Sequence, residues 1–95
     1  MKYSMYYENT QELTRTTKVV PLDDYKLRLF FSNGEVKIYD IKPLLQKKTF
    51  EILRDKSLFS KVRIEHRAAM WNFTGNELDD IDIDPEVLYW DSVPV

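Results

Sequence analysis

Asn33 and Gly34 stand between two runs, Tyr25–Ser32 and Glu35–Asp40, in which apolar and polar side chains alternate. Alternation at a period of two is the signature of a half-buried strand, and Asn-Gly between two such runs is the strongest short-range hairpin signal. A two-residue type I′ loop needs positive φ at both central positions, which Asn and Gly tolerate best. With that loop, Ser32 faces Glu35 and the register follows. Phe31 lies opposite Val36, Leu29 opposite Ile38 and Leu27 opposite Asp40, forming a core-facing side. Phe30 then meets Lys37, and Arg28 meets Tyr39, on a second side that is aromatic, basic and half wet. Such cross-strand pairs stabilise a sheet in their own right, at about 0.5–1 kcal/mol for an exposed cation over a ring. They also make a contact surface for a partner.

The flanking chain supplies cover for this hairpin. Thr17–Leu22 is a short β-branched run in which Pro21, lacking an N–H, predicts an edge strand. Asp23-Asp24 turns the chain into the hairpin, giving a three-stranded antiparallel meander over 17–40. Asp40 and Pro43 mark the start of a short helix at about 43–48, with Lys47 and Lys48 in its last turn. Phe50–Leu53 and Leu58-Phe59 are apolar pegs. Lys61–Glu65 and Ala68–Phe73 read as strands joined tightly at His66-Arg67, and Gly75 marks another turn. Leu78–Ile83 reads as a strand with Ile81 and Ile83 inward. Asp84-Pro85-Glu86 then starts a helix at about 85–90, with Asp84 as cap. Strands and helices in this order predict an α+β domain rather than alternating βαβ units. Residues 17–90 form that domain, 1–16 an N-terminal arm or extra strand, and 91–95 a tail.

The length of 95 residues suits one domain with a modest core, and an apolar content of 43% makes a packed interior the expectation. Cysteine is absent, so thiolate chemistry is excluded. The first residues show no secretory signature and no run reaches membrane-spanning length, which predicts a cytoplasmic protein with no membrane role. Residues 77–95 hold seven acids and no Lys or Arg, so nine of the 16 acids and all 14 bases belong to the rest. A basic body with an acidic end is compatible with two solvated faces or with one lying across the other.

Catalytic constellations are scarce. His66 stands alone between Glu65 and Arg67, and none of the serines has a triad setting around it. The only glycines, Gly34 and Gly75, are taken by turns, leaving no phosphate-cradling loop. Asp80, Asp82, Asp84 and Asp91 echo positions 1, 3, 5 and 12 of a calcium loop, but Pro85 stands where that loop needs glycine. The same aspartates could serve a hard-metal hydrolase, a lesser alternative. Lys47, Lys48, Arg54, Lys56, Lys61, Arg63 and Arg67 give nucleic acid a basic side without a recognisable binding motif.

Several stretches, taken in order, resemble one family. They are Asp24–Leu45, the spacing of Phe50, Leu53, Leu58-Phe59 and Val62, then Met70-Trp71-Asn72, and Leu78–Tyr89 with its Asp-Pro-Glu-x-Leu-Tyr ending. Together they are similar to the bacterial domain of unknown function 2442 over about 17–89. The resemblance implies a small α+β domain with no catalytic residues to carry over. Some relatives are fused to a helix-turn-helix domain, which this sequence does not show. Others are encoded beside a second small protein, which implies an antitoxin-like role. The expectation is therefore a non-enzymatic protein-interaction module without cofactor or metal, binding a neighbour-encoded protein or itself. Its candidate surface is Arg28, Phe30, Lys37 and Tyr39 with the N-terminal Tyr3, Tyr6 and Tyr7. A nucleic-acid-binding or transcription-associated role is the alternative.

Overall fold

The computed structural model describes residues 14–95. Seven strands form two antiparallel sheets, as the α+β reading predicted. The larger sheet has the order β1-β2-β3-β7, with β1 at Thr16–Leu22, β2 at Lys26–Phe31, β3 at Val36–Asp40 and β7 at Val93–Pro94. The smaller has the order β4-β5-β6, from Arg63–Glu65, Ala68–Trp71 and Ile81–Ile83. Pro21 does lie in an edge strand, where its missing N–H leaves no ladder bond unmade. The expected helix at 43–48 is a 3₁₀ turn, Lys42–Gln46, with Pro43 in its first turn, and a second 3₁₀ segment spans Lys48–Arg54. Two short α-helices follow, α1 at Lys56–Phe59 and α2 at Pro85–Trp90. Residues 93–94, read from sequence as tail, pair with β3 instead, and the Val95 N–H donates to the Val36 carbonyl at 3.1 Å.

The Asn33-Gly34 hairpin exists, but its loop is not type I′. Phe31 N–H donates to the Glu35 carbonyl at 2.9 Å and Gly34 N–H to the Phe31 carbonyl at 3.0 Å. The loop therefore holds three residues, Ser32 to Gly34, and only Gly34 has positive φ, at 93°. This is the type I turn closed by a left-handed glycine. Asn33 contributes through its side chain, whose Oδ1 accepts from Glu35 N–H at 2.9 Å. One extra loop residue shifts β3 by one position. Leu27 pairs with Tyr39, Leu29 with Lys37, Arg28 with Ile38 and Phe30 with Val36.

A one-residue slip exchanges the faces of a whole strand. Lys37, Tyr39 and Ile41 turn inward, while Val36, Ile38 and Asp40 turn outward. The shifted register is the one the core accepts. It seals Ile41, buries most of Tyr39 and keeps the Asp40 carboxylate in water, where it accepts from Lys42 N–H at 2.9 Å. The expected register would have driven Asp40 into the interior, a costly burial for a carboxylate.

The inner face of the larger sheet (Leu27, Leu29, Phe31, Tyr39) packs on Ala69, Trp71, Ile81 and Ile83 of the smaller. Leu45, Leu53, Phe59 and Leu88 close the sides. Trp71 is sealed, and its Nε1–H donates to the Phe59 carbonyl at 2.8 Å, so the largest core side chain leaves no polar atom unpaired. The tight connection at His66-Arg67 is where positive φ at two successive residues does occur, at 52° and 70°. Glu65 pairs with Ala68 across it, the two-residue geometry expected earlier in the chain. Ile81 and Ile83 point inward as read from sequence, but the strand begins only at Ile81, because Glu77–Asp79 forms a 3₁₀ turn.

Candidate functional site

The register divides the surface proposed from sequence. Arg28 and Phe30 lie on the outer face of the larger sheet. Lys37 and Tyr39 do not: each is only 7% exposed, on the inner face. The expected pairs of Phe30 with Lys37 and Arg28 with Tyr39 are accordingly not formed. The cation over Phe30 is Lys18 of β1, 5.4 Å from the ring centre. Tyr3, Tyr6 and Tyr7 lie outside the described residues.

The outer face has a definite composition. Across the strands, Val20, Arg28, Ile38 and Val93 form one row, and Lys18, Phe30 and Val36 another. None of these side chains belongs to the hydrophobic core cluster. The apolar ones apart from Val93 are partly exposed, Val93 is largely so, and Lys18 and Arg28 reach into water. Among the described residues no second layer covers this face.

The inward lysine is fully accommodated. Lys37 Nζ donates to the Tyr89 carbonyl at 2.8 Å and sits 3.8 Å from the centre of the Tyr89 ring. The Tyr89 hydroxyl in turn donates to Glu35 Oε1, which also accepts from Asn33 Nδ2 at 2.6 Å. Hydrogen bonds from Tyr89 and then Asn33 hold the Glu35 carboxyl below its usual range, with Lys37 adding to the effect. Loop, β3 and α2 are thus fastened together by one polar cluster.

On the other side of α2 lies a groove of about 290 Å³. Leu44, Phe50, Ile83 and Val87 give it apolar walls, and Tyr39, Asp82 and Asp84 supply its polar groups. Asp84 occupies the cap position of α2, but its side chain accepts no capping bond, contrary to the sequence reading. Neither Asp82 nor Asp84 has an ion-pair partner among the described residues. The Tyr39 hydroxyl likewise has no hydrogen-bond partner there. Burial raises its pKa, and the charges of Asp91 and Asp40 raise it further.

The remaining sequence candidates do not converge. Asp80 Oδ1 accepts from Asn72 Nδ2 at 2.7 Å, and Asp79 Oδ2 accepts from Thr74 Oγ1 at 2.8 Å, within the loop leading to β6. Among the described residues no three His, Cys, Asp or Glu side chains gather as a metal ion requires. His66 is exposed at its turn. No helix among the described residues is long and apolar enough to cross a membrane.

Sequence reasoning missed the groove because it set Tyr39 on the wrong face. A signal was present. Lys37, Tyr39 and Ile41 form an alternation that ends on a strong apolar residue, whereas Val36, Ile38 and Asp40 end on a charge.

Two small antiparallel sheets closed by short helical turns define an α+β domain with one shared core. The pattern of the family described as Protein of unknown function (DUF2442) matches residues 16–93, and the chain belongs to that family. No curated protein and no solved structure matches the chain.

Proposed function

We propose that this protein is a non-enzymatic interaction module that binds a second protein through the outer face of its larger sheet. The observation that carries the reading is the composition of that face. Val20, Phe30, Val36 and Ile38 are held outside the core cluster, ringed by Lys18 and Arg28, with no layer over them among the described residues. An apolar centre with a charged rim is how a protein–protein contact is built. Phe30 is the natural anchor, since aromatic residues at the centre of a patch dominate binding energy. A small protein encoded nearby, held in an antitoxin-like pairing, is the partner this reading favours.

The test uses the tagged full chain to retain a partner under gentle conditions, followed by rebinding of the two purified proteins. Phe30→Ser and Ile38→Ser should each weaken rebinding at least about tenfold, the cost of losing an anchor, while thermal melting shows the fold intact. Undiminished rebinding by both folded variants would remove the sheet face from the argument. Retention that responds instead to salt and to added single-stranded nucleic acid would assign the face to nucleic acid.

A further inference from the structure

We infer that the groove between β3, β6 and α2 is a second recognition site, which takes an arginine side chain presented by a protein partner. This rests on the interaction-module reading but uses a surface of opposite chemistry. Three observations meet in the groove. Asp82 and Asp84 are carboxylates without an ion-pair partner among the described residues, and Asp84 has forgone the capping bond its position offers. Tyr39 is only 7% exposed, lines the groove, and has a hydroxyl with no hydrogen-bond partner among the described residues. Among the described residues every buried side-chain polar atom has a partner, so this hydroxyl is the end of Tyr39 left open to the outside, where a ligand in the groove can reach it. Leu44, Phe50, Ile83 and Val87 then offer walls for methylene groups.

The chemistry selects the ligand. Two uncompensated carboxylates call for a cation, and residues 77–95 contain no Lys or Arg to provide it. Walls of aliphatic and aromatic carbon call for an apolar stem beneath that cation. Guanidinium answers both demands better than ammonium. It is planar, stacks on rings such as Phe50, and has five donors to share between two carboxylates and a phenol oxygen. A groove of about 290 Å³ lies at the lower end of small-molecule pockets, a size suited to one side chain. Asp91 and Asp40, whose charges act on Tyr39, reinforce the negative potential.

The experiment is an NMR titration of the full chain with N-acetyl-arginine amide, using the neutral N-acetyl-citrulline amide and spermidine as parallel probes. The arginine probe should give saturable shifts centred on Tyr39, Ile83, Asp84 and Val87, and the citrulline probe should not. Asp82→Asn and Asp84→Asn should each weaken the fit by about two- to fivefold, the range for an exposed charge pair. Tyr39→Phe should weaken it while leaving the melting curve nearly unchanged. Shifts that do not saturate, that citrulline reproduces, or that ignore both aspartate variants would overturn the site. Saturation by spermidine alone would reassign it to a free polyamine. Self-association abolished by Asp82→Asn would reassign it to a second copy of the chain. The probe makes no use of the outer sheet face, so a failed titration leaves the interaction reading standing. Loss of partner in Phe30→Ser likewise leaves the titration to be judged separately.

Discussion

Replacing Lys37 by glutamate separates the observed hairpin register from the two-residue alternative. In the alternative register Lys37 points to solvent, and a surface charge reversal changes stability by no more than about 0.5 kcal/mol. In the structure the side chain is 7% exposed, with its ammonium 2.8 Å from the Tyr89 carbonyl and 3.8 Å from the Tyr89 ring centre. A carboxylate there faces a carbonyl oxygen, the negative face of a ring and the neighbouring Glu35, with no donor supplied in return. Breaking a buried charge contact in this manner costs about 3–5 kcal/mol. The whole chain, at about 0.05–0.15 kcal/mol per residue, has roughly 5–14 kcal/mol to lose. Lys37→Met keeps the methylene stem and removes the charged hydrogen bond and the ring contact. Relief of ammonium desolvation offsets part of that loss, leaving a cost of about 1–2 kcal/mol. Urea unfolding monitored by tryptophan fluorescence reads both variants against Arg28→Glu, which sits on the outer face. The expected order of stability is wild type, with Arg28→Glu close beside it, then Lys37→Met, then Lys37→Glu. At about 4–8 °C per kcal/mol for a domain this size, Lys37→Glu should melt at least about 12 °C below wild type. Equal small effects for Lys37→Glu and Arg28→Glu would refute the inward lysine and the register with it.

Three further outcomes are expected. His66→Asn combined with Arg67→Gly should raise stability by up to about 1 kcal/mol in urea titrations, because φ of 52° and 70° strains the present side chains and suits the new ones; a loss instead would show that these side chains hold the turn by contacts. Trp71→Phe should cost about 2–4 kcal/mol, since it opens space in a sealed site and leaves the Phe59 carbonyl with only the longer bond from Val62 N–H, at 3.3 Å; a cost under about 1 kcal/mol would deny the Trp71 hydrogen bond its role. Glu35, Asp24 and Asp55 all have carboxyl pKa values lowered in the folded chain, by the Tyr89, Lys42 and Ser57 hydrogen bonds respectively. Their contribution is complete above the unfolded values and is lost as pH falls below about 4, so stability should decline on the acid side. Tyr89→Phe should flatten that decline, and an unchanged acid slope would argue against the Tyr89–Glu35 bond.

Local chemistry settled the outline of this protein before any tertiary contact. Asn33-Gly34 forced a hairpin, Pro21 confined β1 to an edge, and Pro43 and Pro85 opened helical turns. Alternation placed Ile81 and Ile83 inward. Each of these depends on steric or hydrogen-bonding limits that act within a few residues. What local chemistry left open was the count of residues in one loop. Two residues or three are both common solutions for Asn-Gly, so the burial of Tyr39 and Ile41 could decide between them. The core therefore chose, and its choice turned Lys37 into a clasp on α2 and Tyr39 into the floor of an acid-rimmed groove. The candidate sites followed from that choice: Phe30 and Arg28 were legible as surface from their own strand, whereas Tyr39, Asp82 and Asp84 became neighbours only when β3, β6 and α2 packed around a shared interior. A sequence records which side chains alternate. Which face of the alternation is buried depends on what packs against it, and that lies far along the chain.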